Sequence, residues 1–257
     1  MQRTGHAISV IIPALNNLDQ IGSTIQALQG LSDIEEIIVV DGGSVDGTAE
    51  RSAELGARIV QCEAGRGRQM QLGATLAHGK ILWFVHPDTL APKTATEEIC
   101  RVMEDAHVIG GCFAVRVMGK TESTRLLNWN YAHLARMGLH YGAAGYFVWR
   151  EAYEMVGGFR PLPVFEDLDL YRRLGTCGRL VTLNSHMTIL PQRFKGQSLS
   201  RTFAHWSGLL LLYCMRMPAS TMERFSRKLR PAGSDGFPRL AQTQDGQMIP
   251  VSRKYLT

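Results

Sequence analysis

The chain has 257 residues, 45% of them hydrophobic and 20% charged, with a formal net charge of +5 and a pI near 9.1. That balance supplies a full apolar core for one large domain or two small ones and excludes a disordered or fibrous chain. The modest positive excess suits anionic small molecules or an anionic membrane surface; with no zinc-finger or aromatic–basic RNA motif, nucleic acid is not expected as a partner.

Residues 7–12 read as a buried strand stopped by Pro13, and Asn16, Asn17 and Asp19 offer N-caps for a helix over 20–29. Ile21, Ile25 and Leu28 fall on one face of that helix. A strand over 36–40 follows and runs into Asp41-Gly42-Gly43-Ser44. Asp46 and Thr48 cap the next helix, which ends near Gly56. A short strand at 58–61, a Gly/Arg loop at 64–68, a helix over 69–78 and a strand at 80–85 complete a β-α-β-α-β-α-β alternation. That alternation predicts a parallel, doubly wound sheet.

Beyond Thr89 the pattern changes. A helix over 93–103, a strand at 110–117, a helical segment over 121–137, a strand at 146–149 and a short helix from Glu151 predict a mixed half-sheet in the same domain. A further helix opens at Glu166 and runs to Gly175, before a strand at 179–183. The organisation expected is therefore an α/β domain over 1–200, a helical extension over 201–230 and a polar tail over 231–257.

In an open α/β sheet, ligands sit outside the carboxyl ends of the parallel strands. Two strands here end in acids: one delivers Asp41 into a Gly/Ser turn, and the other breaks at Pro87 and delivers Asp88. Each alone reads as a turn or cap acid. Together they point to a nucleotide and its metal. The end of strand one, Pro13-Ala14-Leu15-Asn16, lacks the G-x-G-x-x-G that a dinucleotide pyrophosphate needs, which disfavours an oxidoreductase. It also lacks the Gly-rich basic loop of a nucleotidyltransferase. Gly65-Arg66-Gly67-Arg68-Gln69 brings two guanidiniums to a helix N-terminus, a setting that favours phosphate.

Glu166, Asp167 and Asp169 lie in a first helical turn, where the macrodipole alone favours acids. Pro161 and Pro163 are expected to hold the chain extended up to Phe165, pointing Glu166 and Asp167 into a cleft where one serves as a general base. His186 is a candidate to complete a metal shell and Arg193 to neutralise a diphosphate; ordinary surface polarity explains either equally well. Phe203, Trp206, Leu210 and Tyr213 recur at helical spacing, which predicts packing on the main domain or across a homodimer. The basic run at 224–230 makes peripheral membrane contact a secondary expectation. The five cysteines have neither metal-ligand nor redox spacing, and no signal peptide is apparent. A cytoplasmic location is expected, with membrane contact at the inner face as its variant.

Pro13-x-x-Asn16, Val40-Asp41-Gly42-Gly43-Ser44-x-Asp46-Gly47-Thr48, His86-Pro87-Asp88, Gly157-Gly158-Phe159 and Glu166-Asp167-x-Asp169-Leu170-x-x-Arg173-Leu174 follow one another over about 7–195. In order and spacing this series resembles the family 2 glycosyltransferases, whose fold is the GT-A type. Arg66-Gly67-Arg68-Gln69-Met70 and His86-x-Asp88-Thr89 look most like a bacterial, arsenosugar-type subgroup. The resemblance implies an inverting transfer from a nucleotide-diphospho-sugar, a UDP-sugar first, to a hydroxyl of a small-molecule, glycan or lipid-linked acceptor. It implies that Asp41 contacts the base or ribose, that Pro13, Asn16, Gly43 and Gln69 line the nucleotide, and that Arg66 and Arg68 flank it. Asp88 matches the last acid of the D-x-D motif that holds Mg²⁺ or Mn²⁺, with His86 in place of the first acid. Asp167 matches the base that deprotonates the acceptor, with Glu166 beside it. One departure stands out: the subgroup tends to carry Gly-Asp-Gln-Gly where this chain has Gly142-Ala143-Ala144-Gly145. Either the acceptor differs or a polar wall is gone, and a nucleotide-binding protein that has lost transferase activity is the alternative reading.

Overall fold

The computed structural model describes residues 6–140, 143–162 and 164–190, together with Gly208, Leu209, Leu211, Leu212, Met215, Met217, Thr221 and Phe225. Its first half alternates β1 (Ile8–Ala14), α1 (Leu18–Gln29), β2 (Ile34–Asp41), α2 (Thr48–Glu54), β3 (Arg58–Gln61), α3 (Arg66–Leu76) and β4 (Ile81–Phe84). All four strands are parallel. Strands β1 and β4 are buried along their whole length, the continuous apolar run of a strand covered on both faces.

Pro13 lies inside β1 instead of ending it, for a reason the ladder makes plain. The Ala14 carbonyl accepts from Gly42 on the β2 side, whereas the Ile11 carbonyl accepts from Val85 on the β4 side. Pro13, two residues beyond Ile11, therefore faces the side where pairing with β4 has already stopped. Its missing N–H interrupts no rung.

The second half holds β5 (Thr89–Leu90), α4 (Ala95–Met103), β6 (Val108–Val117), α5 (Glu122–Arg136), β7 (Phe147–Trp149), α6 (Arg150–Met155), α7 (Glu166–Leu174) and β8 (Arg179–Ile189). The eight-stranded sheet has the order β3-β2-β1-β4-β7-β6-β8-β5, with β7 antiparallel to both β4 and β6 and β8 parallel to β6. The parallel half-sheet and the mixed half-sheet thus fall as their sequence patterns indicate. Ile21, Ile25 and Leu28 of α1 and Ile99 and Met103 of α4 cover one face. Met70 and Ala74 of α3, Tyr153 of α6 and Leu170 and Leu174 of α7 cover the other.

Departures from expectation in β8, in α3 and at Phe165 bear on the site. Strand β8 continues past 183 because Asn184 and Ser185 form an irregularity opposite the Phe113/Ala114 step, after which pairing resumes to Ile189. Helix α3 starts at Arg66, so both arginines belong to its first turn. Phe165 is not extended: it adopts φ 59°, ψ 26°, the left-handed region, immediately before α7. For a bulky buried side chain such backbone costs about 1–3 kcal/mol and persists only where packing overdetermines it. Here Val164, Phe165 and Leu168 form a cluster with the buried Leu209 of the C-terminal region and with the partly buried Leu139, Leu212 and Phe225. The rest of the 203–217 segment is only partly described, and 226–257 lies outside the described residues.

Candidate active site

The loops leaving β1 and β2 lie side by side, because Ala14 is in register with Asp41. Asn16 does not cap α1. It sits at φ 52°, its N–H donates to Ser44 Oγ at 2.9 Å, and its Oδ1 accepts from Val45 N at 3.0 Å. The N-terminus of α1 is capped from outside: Asp46 Oδ2 accepts from Leu18 N at 3.0 Å, and Asp46 Oδ1 accepts from Thr48 N at the start of α2. One carboxylate thus serves two helix starts. Asp41 is buried, with its Oδ2 accepting from the N–H groups of Gly43 and Ser44 and its Oδ1 from Ser44 Oγ. That turn needs φ +92° at Gly43, a conformation that suits glycine, and a Cβ there would meet nothing within 4 Å. The backbone is therefore open toward any ligand lying over Asp41.

The turn carrying Asp88 is clamped from two directions. Thr24 Oγ1, buried on α1, donates to the Pro87 carbonyl at 2.8 Å, and Leu190 N at the end of β8 donates to the Asp88 carbonyl at 3.0 Å. Asp88 Oδ1 also accepts from Thr89 Oγ1 at 3.2 Å. His86 is buried on the same connection. Thr24 escapes sequence reading because it looks like an ordinary helix residue; only the approach of α1 to the β4 end gives it work.

Helix α3 joins the two halves. Gln69, expected to line a nucleotide, is buried: its Nε2 donates to the carbonyls of Ala14 and Val40 at 2.8 Å each, and its Oε1 accepts from Gly65 N. The amide is committed to holding the ends of β1 and β2 against the start of α3. Gln69→Met should therefore lower stability by about 1–3 kcal/mol in chemical denaturation, by stranding buried carbonyls; a variant as stable as wild type would remove this role.

On either side of Gln69 the two arginines part. Arg68 Nη1 pairs with Glu63 at an exposed lip, near Cys62 and Asp41. Burial is the largest cause pushing the Cys62 thiol up, to about 11. Arg66 turns the other way, and its Nε pairs with the buried Glu166 of α7. Gly67 permits this approach, since a Cβ there would lie 2.7 Å from the Arg160 carbonyl and 3.5 Å from Glu166 Cβ. Burial would lower the Arg66 pKa, but the charges of Glu166, Asp167 and Asp88 outweigh it and hold the guanidinium proton on. Asp88 and the adjacent Glu166 and Asp167, from two distant parts of the chain, thus act on one partly buried cation. Glu166 is engaged in the ion pair, while Asp167, also buried, accepts from Leu168 N at 2.8 Å through Oδ1.

The other motif residues hold this geometry. Arg173 Nε donates to Asp169 at 2.8 Å, and its two terminal nitrogens donate to the carbonyls of Val156 and Gly158. The Gly157-Gly158 turn is thereby fastened to α7. Gln71 Oε1 accepts from Tyr153 Oη at 2.6 Å and Phe159 N at 2.9 Å, a buried bridge with no sequence signature.

His186 is not brought to Asp88. It lies within β8 opposite Ala114 and lines a cavity of about 290 Å³ with Arg116, Asn128 and Tyr131. Leu190, which touches Asp88, lies four residues further on, roughly 13 Å along a strand rising ~3.3 Å per residue. Arg193 lies outside the described residues. Among the described residues no group of three or more His, Cys, Asp or Glu is placed to hold a metal. His86 and Asp88 beside the Arg66 helix start fit a divalent ion shared with phosphate oxygens, not an all-protein cage. Ala143 and Ala144 are 1% exposed and packed among Val117, Ile189 and Cys112, so they are core and not a wall facing a ligand.

The sequence model for glycosyl transferase family 2 matches residues 9–155, more than half of the chain. Glucosyl-3-phosphoglycerate synthase of Mycolicibacterium paratuberculosis is 36% identical over 101 residues, covering 35% of this chain and 31% of that protein. The Mycolicibacterium smegmatis synthase is 32% identical over 101 residues, covering 35% and 33%. The match thus spans about a third of the length of these curated relatives. Among solved structures, a mannosyltransferase of Pyrobaculum calidifontis in complex with GDP-Man and Mn²⁺ superposes with a TM-score of 0.65 at 16% identity, over 87% of this chain and 69% of that one. The glucosyl-3-phosphoglycerate synthase of Mycobacterium tuberculosis, in complex with Mn²⁺, UDP and glucosyl-3-phosphoglycerate, superposes with a TM-score of 0.58 at 21% identity, over 84% and 82%. The architecture is the GT-A glycosyltransferase fold, and by the extent of the family match this chain belongs to glycosyl transferase family 2.

Proposed function

We propose that this protein is an inverting, divalent-metal-dependent transferase that moves a sugar from a nucleotide-diphospho-sugar, UDP-glucose first, to an acceptor hydroxyl. The observation that carries the reading is the convergence of Asp88, Glu166 and Asp167 on Arg66 at the carboxyl end of the sheet. The nucleoside lies over the Asp41–Gly43 turn with Arg68 at its edge, and the diphosphate lies at the start of α3, where helix N–H groups favour anions. Asp88, with His86 beside it, would hold Mg²⁺ or Mn²⁺, which would supply charge stabilisation to the leaving diphosphate.

Asp167 takes the proton from the acceptor hydroxyl. The acceptor oxygen forms its bond to the anomeric carbon as the bond to the diphosphate oxygen breaks, so configuration inverts in a single displacement. Glu166 is committed to the ion pair with Arg66, and Asp167 occupies the motif position of the base. The relatives' names make 3-phosphoglycerate the first acceptor to assay. The alternative of lost activity gains no support from Ala143 and Ala144, whose side chains are buried.

Titration calorimetry of UDP-glucose and GDP-mannose with and without Mn²⁺, followed by nucleotide release on adding acceptor, tests the reading. Asp88→Asn should abolish the metal-dependent part of donor binding while the protein stays folded, because its side chain is only half-buried and its main-chain clamps remain. Unchanged metal dependence in that variant would remove Asp88 from the site.

A further inference from the structure

Among the described residues, two buried side-chain polar atoms have no hydrogen-bond partner: Trp83 Nε1 and Tyr146 Oη. They lie on opposite faces of the sheet. Trp83 packs against Phe113 in the layer covered by α1 and α4, on the face opposite α7. Tyr146 packs in the layer covered by α3, α6 and α7. Its carbonyl accepts from Phe84 N at 2.8 Å, which fixes its backbone beside the end of β4, just before His86 and Asp88. Its ring lies 5.6 Å from that of Tyr171, one helical turn beyond Asp167 on α7. Tyr146 therefore stands where the end of β4 meets the first turn of α7. Burial first, and then the charges of the Asp167 and Glu166 carboxylates, keep the phenolic proton in place.

A buried donor left without an acceptor is costly, and phenylalanine would fill the same space without that cost. We infer that Tyr146 is a positioning residue whose hydroxyl donates to the Asp167 carboxylate in the substrate-bound protein, aligning the base with the acceptor hydroxyl. The inference rests on the transferase reading above. Asp167 Oδ1 already takes the Leu168 N–H, and the phenol supplies a second direction of restraint. Aligning a base is the kind of effect that sub-ångström geometry controls.

The test is Tyr146→Phe beside Tyr171→Phe. Tyr171 belongs to the same aromatic group, but its hydroxyl lies beside Thr182 and Cys112. Tyr146→Phe should keep or raise the melting temperature and leave the KM for donor unchanged, with kcat falling about 10- to 100-fold. Tyr171→Phe should lower the melting temperature and leave kcat alone. An unchanged kcat in Tyr146→Phe overturns the inference; so does an equal loss of kcat in both variants, which would trace the effect to packing of the whole group. A wild-type protein that turns over no nucleotide sugar overturns the transferase reading and the inference with it. An active wild type with an equally active Tyr146→Phe removes the inference alone.

Discussion

Asp167→Asn should bind nucleotide sugar and metal as the wild type does and transfer sugar about 10²–10⁴-fold more slowly, the usual cost of deleting a general base. The amide keeps the shape and the acceptor atom that takes the Leu168 N–H, so the first turn of α7 stays intact. What it loses is a site for the acceptor's proton. Glu166, the adjacent residue on that turn, is held by Arg66, and Asp169 by Arg173. Calorimetry of donor binding beside a nucleotide-release assay separates the two steps. Near-normal turnover would show that another group takes the proton, and Glu166→Gln would then be the variant to measure.

Arg66→Ala should be the most damaging change for stability, by about 3–5 kcal/mol, because removing one partner of a buried ion pair strands the other charge. The Glu166 side chain is 2% exposed and the Arg66 side chain 19%, so water reaches the pair poorly. Asp167 and Asp88 compound the loss, since the same guanidinium offsets their charges. Adding Glu166→Gln to Arg66→Ala should recover part of the stability in urea denaturation, as the stranded charge disappears. A single variant within experimental error of wild type would mean that the pair is solvated in solution. Donor binding should fall in both variants, because the proposed diphosphate site lies at the start of α3, which carries Arg66.

Much of the architecture was legible in the sequence for a local reason. Alternation and apolar runs mark β1, β2 and β4, and acids placed directly after two of those runs mark the carboxyl end of a parallel sheet, where ligands lie. The order of short motifs was enough to indicate the family and to bring Asp41, Asp88 and Asp167 forward as site residues. What sequence could not assign is the direction in which each side chain acts, because that depends on contacts across many residues. Arg66, Arg68 and Gln69 form one short string, yet α3 sends one to Glu166, one to Glu63 and one into the backbone of β1 and β2. Asn16 reads as a helix cap, but the neighbouring β2 loop takes its amide because the strand register sets the two loops side by side. His186 reads as a ligand after a strand that ends at 183; pairing with β6 carries that strand through the irregularity to Ile189 and leaves the histidine beside Ala114. Phe165 adopts a left-handed backbone only because Leu168 and Leu209 pack around it, and Tyr146 lacks a partner only because the fold closes over it. Local periodicity decides which segments become strands and helices, whereas pairing register and packing between distant segments decide which atoms meet.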